Sequence, residues 1–385
     1  MDADVIVVGA GIVGLAVARE IHRRRPADTI IVVDREDRVA AHQTGHNSGV
    51  IHGGVYYPPG SLKARLCVRG ARLMYEYLAE HDLPHDRCGK LIVAASPSEA
   101  PALDALFERG VANQVPGLRR IGAAELTELE PRVRGVAALH APDTGITDFA
   151  AVARSIAAGL PDVRLGVDVT RAGPDGVVEH AGGRLTARRV VVCAGLWSDR
   201  LSGGTGPRVV PFRGAYLRLR RPVTRHMIYP VPDPRLPFLG VHVTPHVDGH
   251  TMLGPTALLA PARDAYRLAT WRPRDLWQTA TWPGTWRLAG RFWRTGLHEV
   301  RMAAGRRAFV RAAARYVPSL TVEDLDGTVH AGVRAQALGR DGALVDDFLI
   351  ERAGVVTHVR NAPSPAATSA FALAEEIGQT IFRFH

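Results

Sequence analysis

An α/β fold with a doubly wound parallel domain and an inserted β-sheet domain is predicted from three observations. The first is a strand–glycine loop–helix–strand unit in residues 4–34. The second is another strand-to-glycine junction far along the chain, at Cys193-Ala194-Gly195. The third is a further junction of this kind in residues 332–365, so the first domain returns in separated pieces.

The opening unit carries the most information. Val5-Ile6-Val7-Val8 is apolar and mostly β-branched, which suits a buried parallel strand. Gly9-Ala10-Gly11-Ile12-Val13-Gly14 follows, then a helix from Leu15. Gly9 permits the tight turn, Gly11 lets a pyrophosphate approach the backbone, and Gly14 lets helix and strand pack closely. The helix N-terminus presents free N–H groups to the phosphates. A second strand, Ile30–Val33, ends on Asp34, 20 residues after Gly14, where a carboxylate accepts hydrogen bonds from a ribose. The complete unit predicts dinucleotide binding.

Further along, 61–81, 98–110, 123–130 and 149–160 read as helices, and 91–94, 164–170, 177–180 and 189–193 as strands. Strand segments follow at 216–219 and 239–243, then a Trp-rich helical region over 271–316. Residues 332–342 and 345–350 read as a hairpin turning at Asp341-Gly342. Ser364-Pro365 reads as N-cap and N1 of a terminal helix ending near Phe382. The cofactor domain is expected in pieces 1–84, 146–210 and 325–385, and the substrate domain in 85–145 and 211–324. A single nicotinamide domain needs only one contiguous unit, so this layout favours a flavin.

Composition sets the bounds. With 46% hydrophobic and 22% charged residues, the chain is of the folded, soluble class. No apolar run approaches the length of a transmembrane helix, and no signal peptide is legible. Cys67, Cys88 and Cys193 are odd in number and widely spaced, which points to a reducing cytoplasm and to no disulfide framework or metal site. Net charge is +10, mostly from arginine, and the one concentrated basic run is Arg23-Arg24-Arg25. Scattered charge of this kind disfavours nucleic acid. It suits acidic small substrates or an anionic membrane surface.

Several blocks resemble the L-2-hydroxyglutarate oxidase/dehydrogenase family of FAD-dependent oxidoreductases, within the D-amino acid oxidase-like superfamily. They are Thr44-Gly-His46-Asn47-Ser48-Gly49-Val-Ile-His52, Tyr56-Tyr57 through Lys63-Ala64, Cys88-Gly-Lys90-Leu-Ile-Val-Ala94 and Pro211-Phe-Arg213-Gly214. They continue with Ile228 to Pro234, Phe238 to His242, Ala331-Gly-Val-Arg334-Ala-Gln-Ala337, Asp346-Asp347-Phe-Leu349 and Asn361 to Thr368. The resemblance spans essentially the whole chain. It implies a Rossmann-type FAD-binding domain with an inserted β-sheet substrate domain, and oxidation of an L-2-hydroxy acid to the 2-oxo acid.

Each chemical task then has candidates. Arg334 is expected to clamp the substrate carboxylate, because a guanidinium fork grips it bidentately at any working pH; the bland alternative is a surface ion pair. His52 is the candidate base, with His46 and His242 as rivals and a packed histidine as the alternative for each. Flavin contacts are expected from Gly9, Gly11, Gly14, Asp34, Arg35, Thr44, His46, Asn47, Ser48, Val169, Ala194, Gly195, Trp197, Pro363, Ser364 and Ala366. The helix start at Ser364 is to face the flavin pyrimidine edge. Tyr56, Tyr57, Arg213, His242 and Arg334 are expected on the substrate side, packing being the rival role for the tyrosines. Cys88 reads as a small buried hydrophobe rather than a reactive thiol.

Three positions depart from the family pattern: Ala215 where an acid is usual, Pro245 where the segment after His242 usually carries an arginine, and Thr256 where an asparagine is usual. All fall in the expected substrate domain, and they suggest a bulkier or less acidic substrate than 2-hydroxyglutarate. Amine oxidation, a non-catalytic flavoprotein and a nicotinamide-dependent dehydrogenase are the competing readings. The electron acceptor is left as oxygen or a quinone. A quinone would require peripheral contact with the inner face of the membrane.

Overall fold

The computed structural model describes residues 1–204, 206–233 and 239–382. Pro234 and Phe238, which belong to two of the resemblance blocks, lie outside these.

The opening unit forms as the sequence predicts, with strand Ala3–Val8, helix Ile12–Arg24 and strand Ile30–Val33. Ala3–Val8 lies between Ile30–Val33 and the second half of Gly183–Val192, parallel to both. Val163–Arg164 and Val356–Asn361 extend the parallel sheet on its two sides. Antiparallel strands Val169–Ala172, Val177–His180 and Leu349–Ala353 complete eight. Helices Ile12–Arg24, Leu62–Glu80, Phe149–Ala158 and Ala370–Phe382 bury Leu15, Ile21, Met74, Leu78, Phe149, Ile156 and Leu373 in one core. Each such side chain contributes roughly 1.5–3 kcal/mol of burial.

The second sheet has nine strands. Its spine is the antiparallel pair Arg208–Leu219 and Leu325–Leu338, in which Phe212 lies opposite Arg334 and Tyr216 opposite His330. Thr251–Gly254, His242–Pro245, Met227–Pro230, Lys90–Ala94, Ala137–Ala141 and Arg119–Gly122 follow in spatial order. The spine reaches the first domain at Gly332, where a Cβ would collide with the His46 carbonyl. The Trp-rich region forms helices Pro273–Ala280, Pro283–Ala304 and Arg306–Ala314, as expected.

Several expectations are corrected. Leu325–Leu338 belongs to the second sheet, not to the cofactor sheet, because Arg208–Leu219 offers it a long antiparallel partner. The expected hairpin with 345–350 is therefore reduced to one bridge, Leu338 to Leu344, and Leu349–Ala353 pairs instead with Val356–Asn361. The strand expected over 164–170 is two short ones, interrupted around Gly166, whose φ is +75°. The strand expected over 239–243 starts at His242. The terminal helix begins at Ala370, so Ser364 does not cap it. Residues 364–369 form turns, and the Thr368 hydroxyl accepts from His52 N and donates to the Val50 carbonyl, which binds this segment to the strand Val50–Ile51.

Candidate active site

A cavity of about 840 Å³ opens between the two sheets. One end is built by the glycine loop. Gly9 has φ +114°, and a Cβ there would overlap the Cys193 carbonyl; one on Gly14 would collide with the Gly9 carbonyl. Helix Ile12–Arg24 has Gly11 as its cap, with no capping side chain and no acid in its first turn. The Thr44 hydroxyl takes the Ile12 N–H at 3.0 Å, and the remaining N–H groups of that turn suit an anion. Asp34 is pinned by Ala10 N at 2.6 Å and Glu36 N at 2.9 Å. The Arg35 guanidinium lies 3.7 Å over the Trp197 ring. His42 packs 4.6 Å from Trp197 and bonds Glu36 at 2.7 Å.

Of the residues expected to contact cofactor, Gly9, Gly11, Asp34, Arg35, Thr44, His46, Asn47, Ser48, Val169, Ala194, Gly195, Trp197, Pro363, Ser364 and Ala366 all line this cavity. Gly14 does not, in keeping with its packing role. His46 stacks on Tyr266 at 3.7 Å, and burial, then neighbouring His42, holds its pKa below the usual value.

The other end holds His52, Tyr56, Tyr57, Lys63, Tyr216, Tyr229, His242, Arg334 and Gln336. Burial pushes the His52 pKa well below 6.5, and the charges of Lys90, Arg334 and Lys63 add to that shift. The imidazole is therefore neutral at physiological pH and able to accept a proton. His242 is held neutral in the same way, by burial first, then by Lys90, Arg334 and His52. His52 Nδ1, the Tyr56 hydroxyl and Asn361 Oδ1 are buried without hydrogen-bond partners among the described residues. Buried polar atoms without partners are costly, so at the wall of a cavity they mark where a ligand's polar groups fit. Together with the glycine cradle on the same cavity, they fit the polar groups of a long dinucleotide cofactor and its substrate.

Arg213 is the exception. It lies on the face of its strand opposite to Phe212, and its Nε donates to the Ala265 carbonyl at 3.1 Å. It does not line the cavity. Nor do Ala215, Pro245 and Thr256. Ala215 and Thr256 answer one another instead: Ala215 N donates to Thr256 Oγ1 at 3.0 Å, and Thr256 N to the Ala215 carbonyl at 3.2 Å.

Two residues went unrecognised as site groups in the sequence. Lys63 lines the cavity and pairs with exposed Asp346 at 2.9 Å. Lys90 is fully buried, 4.2 Å from the Tyr229 ring centroid and 5.4 Å from that of Tyr56. Burial lowers its pKa to about 8. Both stand in blocks that carry the family resemblance and they are the chain's only lysines, but neither signal assigned them a role. Cys88 is buried, as a small hydrophobe is expected to be, and burial pushes its thiol up to about 12.

Comparison with known proteins agrees with this geometry. The model of the family described as FAD dependent oxidoreductase matches residues 4–380. Human mitochondrial L-2-hydroxyglutarate dehydrogenase is 44% identical, across 98% of this chain and 88% of that protein. The L-2-hydroxyglutarate dehydrogenase of Indibacter alkaliphilus is 39% identical, across 97% of both. Among solved structures, the FAD-bound L-alpha-glycerophosphate oxidase of Mycoplasma pneumoniae superposes with a TM-score of 0.79 at 22% identity, over 98% of this chain and 94% of that one. Glycine oxidase from Geobacillus kaustophilus gives 0.73 at 19% identity, over 100% and 95%. The chain belongs to the FAD-dependent oxidoreductases, in the family of the L-2-hydroxyglutarate dehydrogenases.

Proposed function

We propose that the protein oxidises L-2-hydroxyglutarate to the 2-oxo acid, and that Arg334, His52 and Lys90 divide the work. The observation that carries this reading is that His52, Lys63 and Arg334 line one cavity, with the Lys90 ammonium buried against Tyr56 and Tyr229 of the same wall. Bound FAD supplies the two-electron acceptor. Arg334 grips the carboxylate beside the reacting carbon and orients its C–H. The His52 imidazole takes the hydroxyl proton. Lys63, on the cavity wall and bridged to exposed Asp346, and Lys90, buried behind Tyr56 and Tyr229, add positive field that favours a dicarboxylate over a monocarboxylate. The three departures from the family pattern lie off the cavity wall, so they give no reason to abandon the dicarboxylate.

The same field repels a protonated amine, which disfavours amino acid oxidation. L-Glutamate is the matched control, with ammonium in place of hydroxyl. Oxidation of L-2-hydroxyglutarate without ammonia release from L-glutamate is expected; ammonia release at a comparable rate would reject the reading.

We further propose that the electron acceptor is a quinone reached at an anionic membrane surface. Among the described residues no helix is long and apolar enough to cross a membrane. On the helix Pro283–Ala304, which kinks at Phe292, Trp293, Leu297 and Val300 follow the kink at helical spacing and Trp286 precedes it; Trp286, Trp293, Leu297 and Val300 are 66%, 60%, 45% and 54% exposed. Trp277, on the preceding helix, is 65% exposed. Residues 271–307 contain eight arginines and two acids. An exposed aromatic face flanked by arginine is the pattern of an interfacial helix on anionic lipid.

A further inference from the structure

Strands His242–Pro245 and Thr251–Gly254 are joined by His246-Val247-Asp248-Gly249-His250. The turn is closed by His246 N to the His250 carbonyl at 2.8 Å and Gly249 N to the His246 carbonyl at 2.9 Å, with Gly249 at φ +90°. This folding brings the alternate side chains His246, Asp248 and His250 together, with one ligating atom from each within 4.8 Å of the others. His246 Nδ1 is 3.0 Å from Asp248 Oδ1, and His250 Nδ1 touches the same oxygen. The imidazoles stack at 4.4 Å and 16°. His250 is only 9% exposed, and its Nε2 is buried with no hydrogen-bond partner among the described residues. Asp248 is 57% exposed, so the cluster opens to solvent. None of the three lines the cofactor cavity.

We propose that His246, Asp248 and His250 bind a late first-row divalent cation, with Zn²⁺ the best match. Two imidazoles and one carboxylate make a three-ligand set that water completes to a tetrahedron. Nitrogen donors favour Zn²⁺, Ni²⁺ and Cu²⁺ over Mg²⁺ and Ca²⁺, which require oxygen-rich shells. The expectation of no metal site rested on the cysteines, and this donor set contains none. Arg218 is the cation that faces the cluster, and Asp326, 3.2 Å from it, offsets its charge. The His330 ring stacks on His250 at 5.8 Å and forms one wall. The site abuts the flavin-side loop: a Cβ on Gly49 would lie 3.6 Å from His246 Cδ2, and the preceding Ser48 lines the cavity. A bound cation thus fastens the hairpin tip beside that loop and stabilises the folded holoprotein in proportion to its occupancy.

The test is calorimetric titration of tag-free holoprotein, stripped with chelator and dialysed, with ZnCl₂ and separately with MgCl₂. Saturable one-to-one Zn²⁺ binding is expected, weakened about tenfold or more by His246→Ala, by His250→Ala and by Asp248→Asn. An unchanged flavin spectrum in each variant shows that it has folded. No saturable Zn²⁺ binding by the wild type, equal affinity for Mg²⁺, or undiminished Zn²⁺ binding by the His246→Ala/His250→Ala double variant would each overturn the proposal.

Discussion

Tyr229 stacks face to face on His242, with ring centroids 3.9 Å apart and planes 11° from parallel. The Lys90 ammonium sits 4.2 Å from the same tyrosine ring. One aromatic ring therefore touches both a neutral imidazole and a buried cation. Among the described residues no carboxylate pairs with Lys90, and a desolvated cation–π contact of about 2 kcal/mol offsets only part of its burial cost.

Lys90→Met tests this trade. The Lys90 pKa falls from 10.5 to about 8 on folding, so the unfolded chain binds the extra proton between those pH values. Wild-type stability therefore carries a penalty below pH 8 that fades as pH rises to 10.5, worth about 3 kcal/mol in total. Lys90→Met lacks this dependence. Urea unfolding of both proteins at pH 7 and pH 10 should show any stability advantage of the variant shrinking at the higher pH. The variant should also raise KM for the dicarboxylate.

His52→Gln should lower kcat by about 10²–10⁴, the usual range for a lost general base, while substrate still binds. Because burial and three cations hold the His52 pKa well below 6.5, the neutral, proton-accepting form persists through pH 6.5. The acid limb of kcat/KM in the wild type is expected at lower pH. A limb centred at 6.5 would show that another group titrates.

Arg334→Lys keeps the charge and loses the fork. One charge-assisted hydrogen bond is worth about 1.5–3 kcal/mol, so kcat/KM should drop roughly 10–100-fold. A change below twofold, measured in steady state, would remove Arg334 from the clamp.

Gly14→Val should abolish flavin retention. The new Cβ would strike the Gly9 carbonyl, forcing apart the helix and strand that shape the phosphate cradle. The flavin-to-protein absorbance ratio after gel filtration reads this directly.

The exposed helix face makes a separate prediction. Trp286→Ser/Trp293→Ser should reduce cosedimentation with anionic vesicles while leaving activity with a soluble dye acceptor intact. Equal vesicle binding by wild type and variant would reject the lipid surface.

The opening strand–loop–helix was legible because its glycine spacing is local and sterically forced. Arg334 and Arg213 show where locality ends. Both are arginines on long strands of one antiparallel pair, in similar Gly-flanked segments. Side chains alternate faces along a strand, and the observed register puts Phe212, not Arg213, opposite Arg334. That register is a long-range property, and Arg213 consequently turns to the Ala265 carbonyl. Lys90 escaped notice for a related reason. In Lys90-Leu91-Ile92-Val93 it reads as a strand edge, and only pairing with Met227–Pro230 seals it beneath Tyr229. The terminal helix was placed too early because Ser-Pro is a sound local start signal, whereas Thr368 is claimed by Val50 and His52, more than 300 residues away.

The most direct test is anaerobic mixing of the purified holoprotein with substrate, followed at the flavin absorbance band. The dicarboxylate assignment predicts rapid bleaching by L-2-hydroxyglutarate, slower bleaching by monocarboxylic 2-hydroxy acids, and none by the D-enantiomer. Bleaching by a monocarboxylic 2-hydroxy acid that is faster than by L-2-hydroxyglutarate would contradict it.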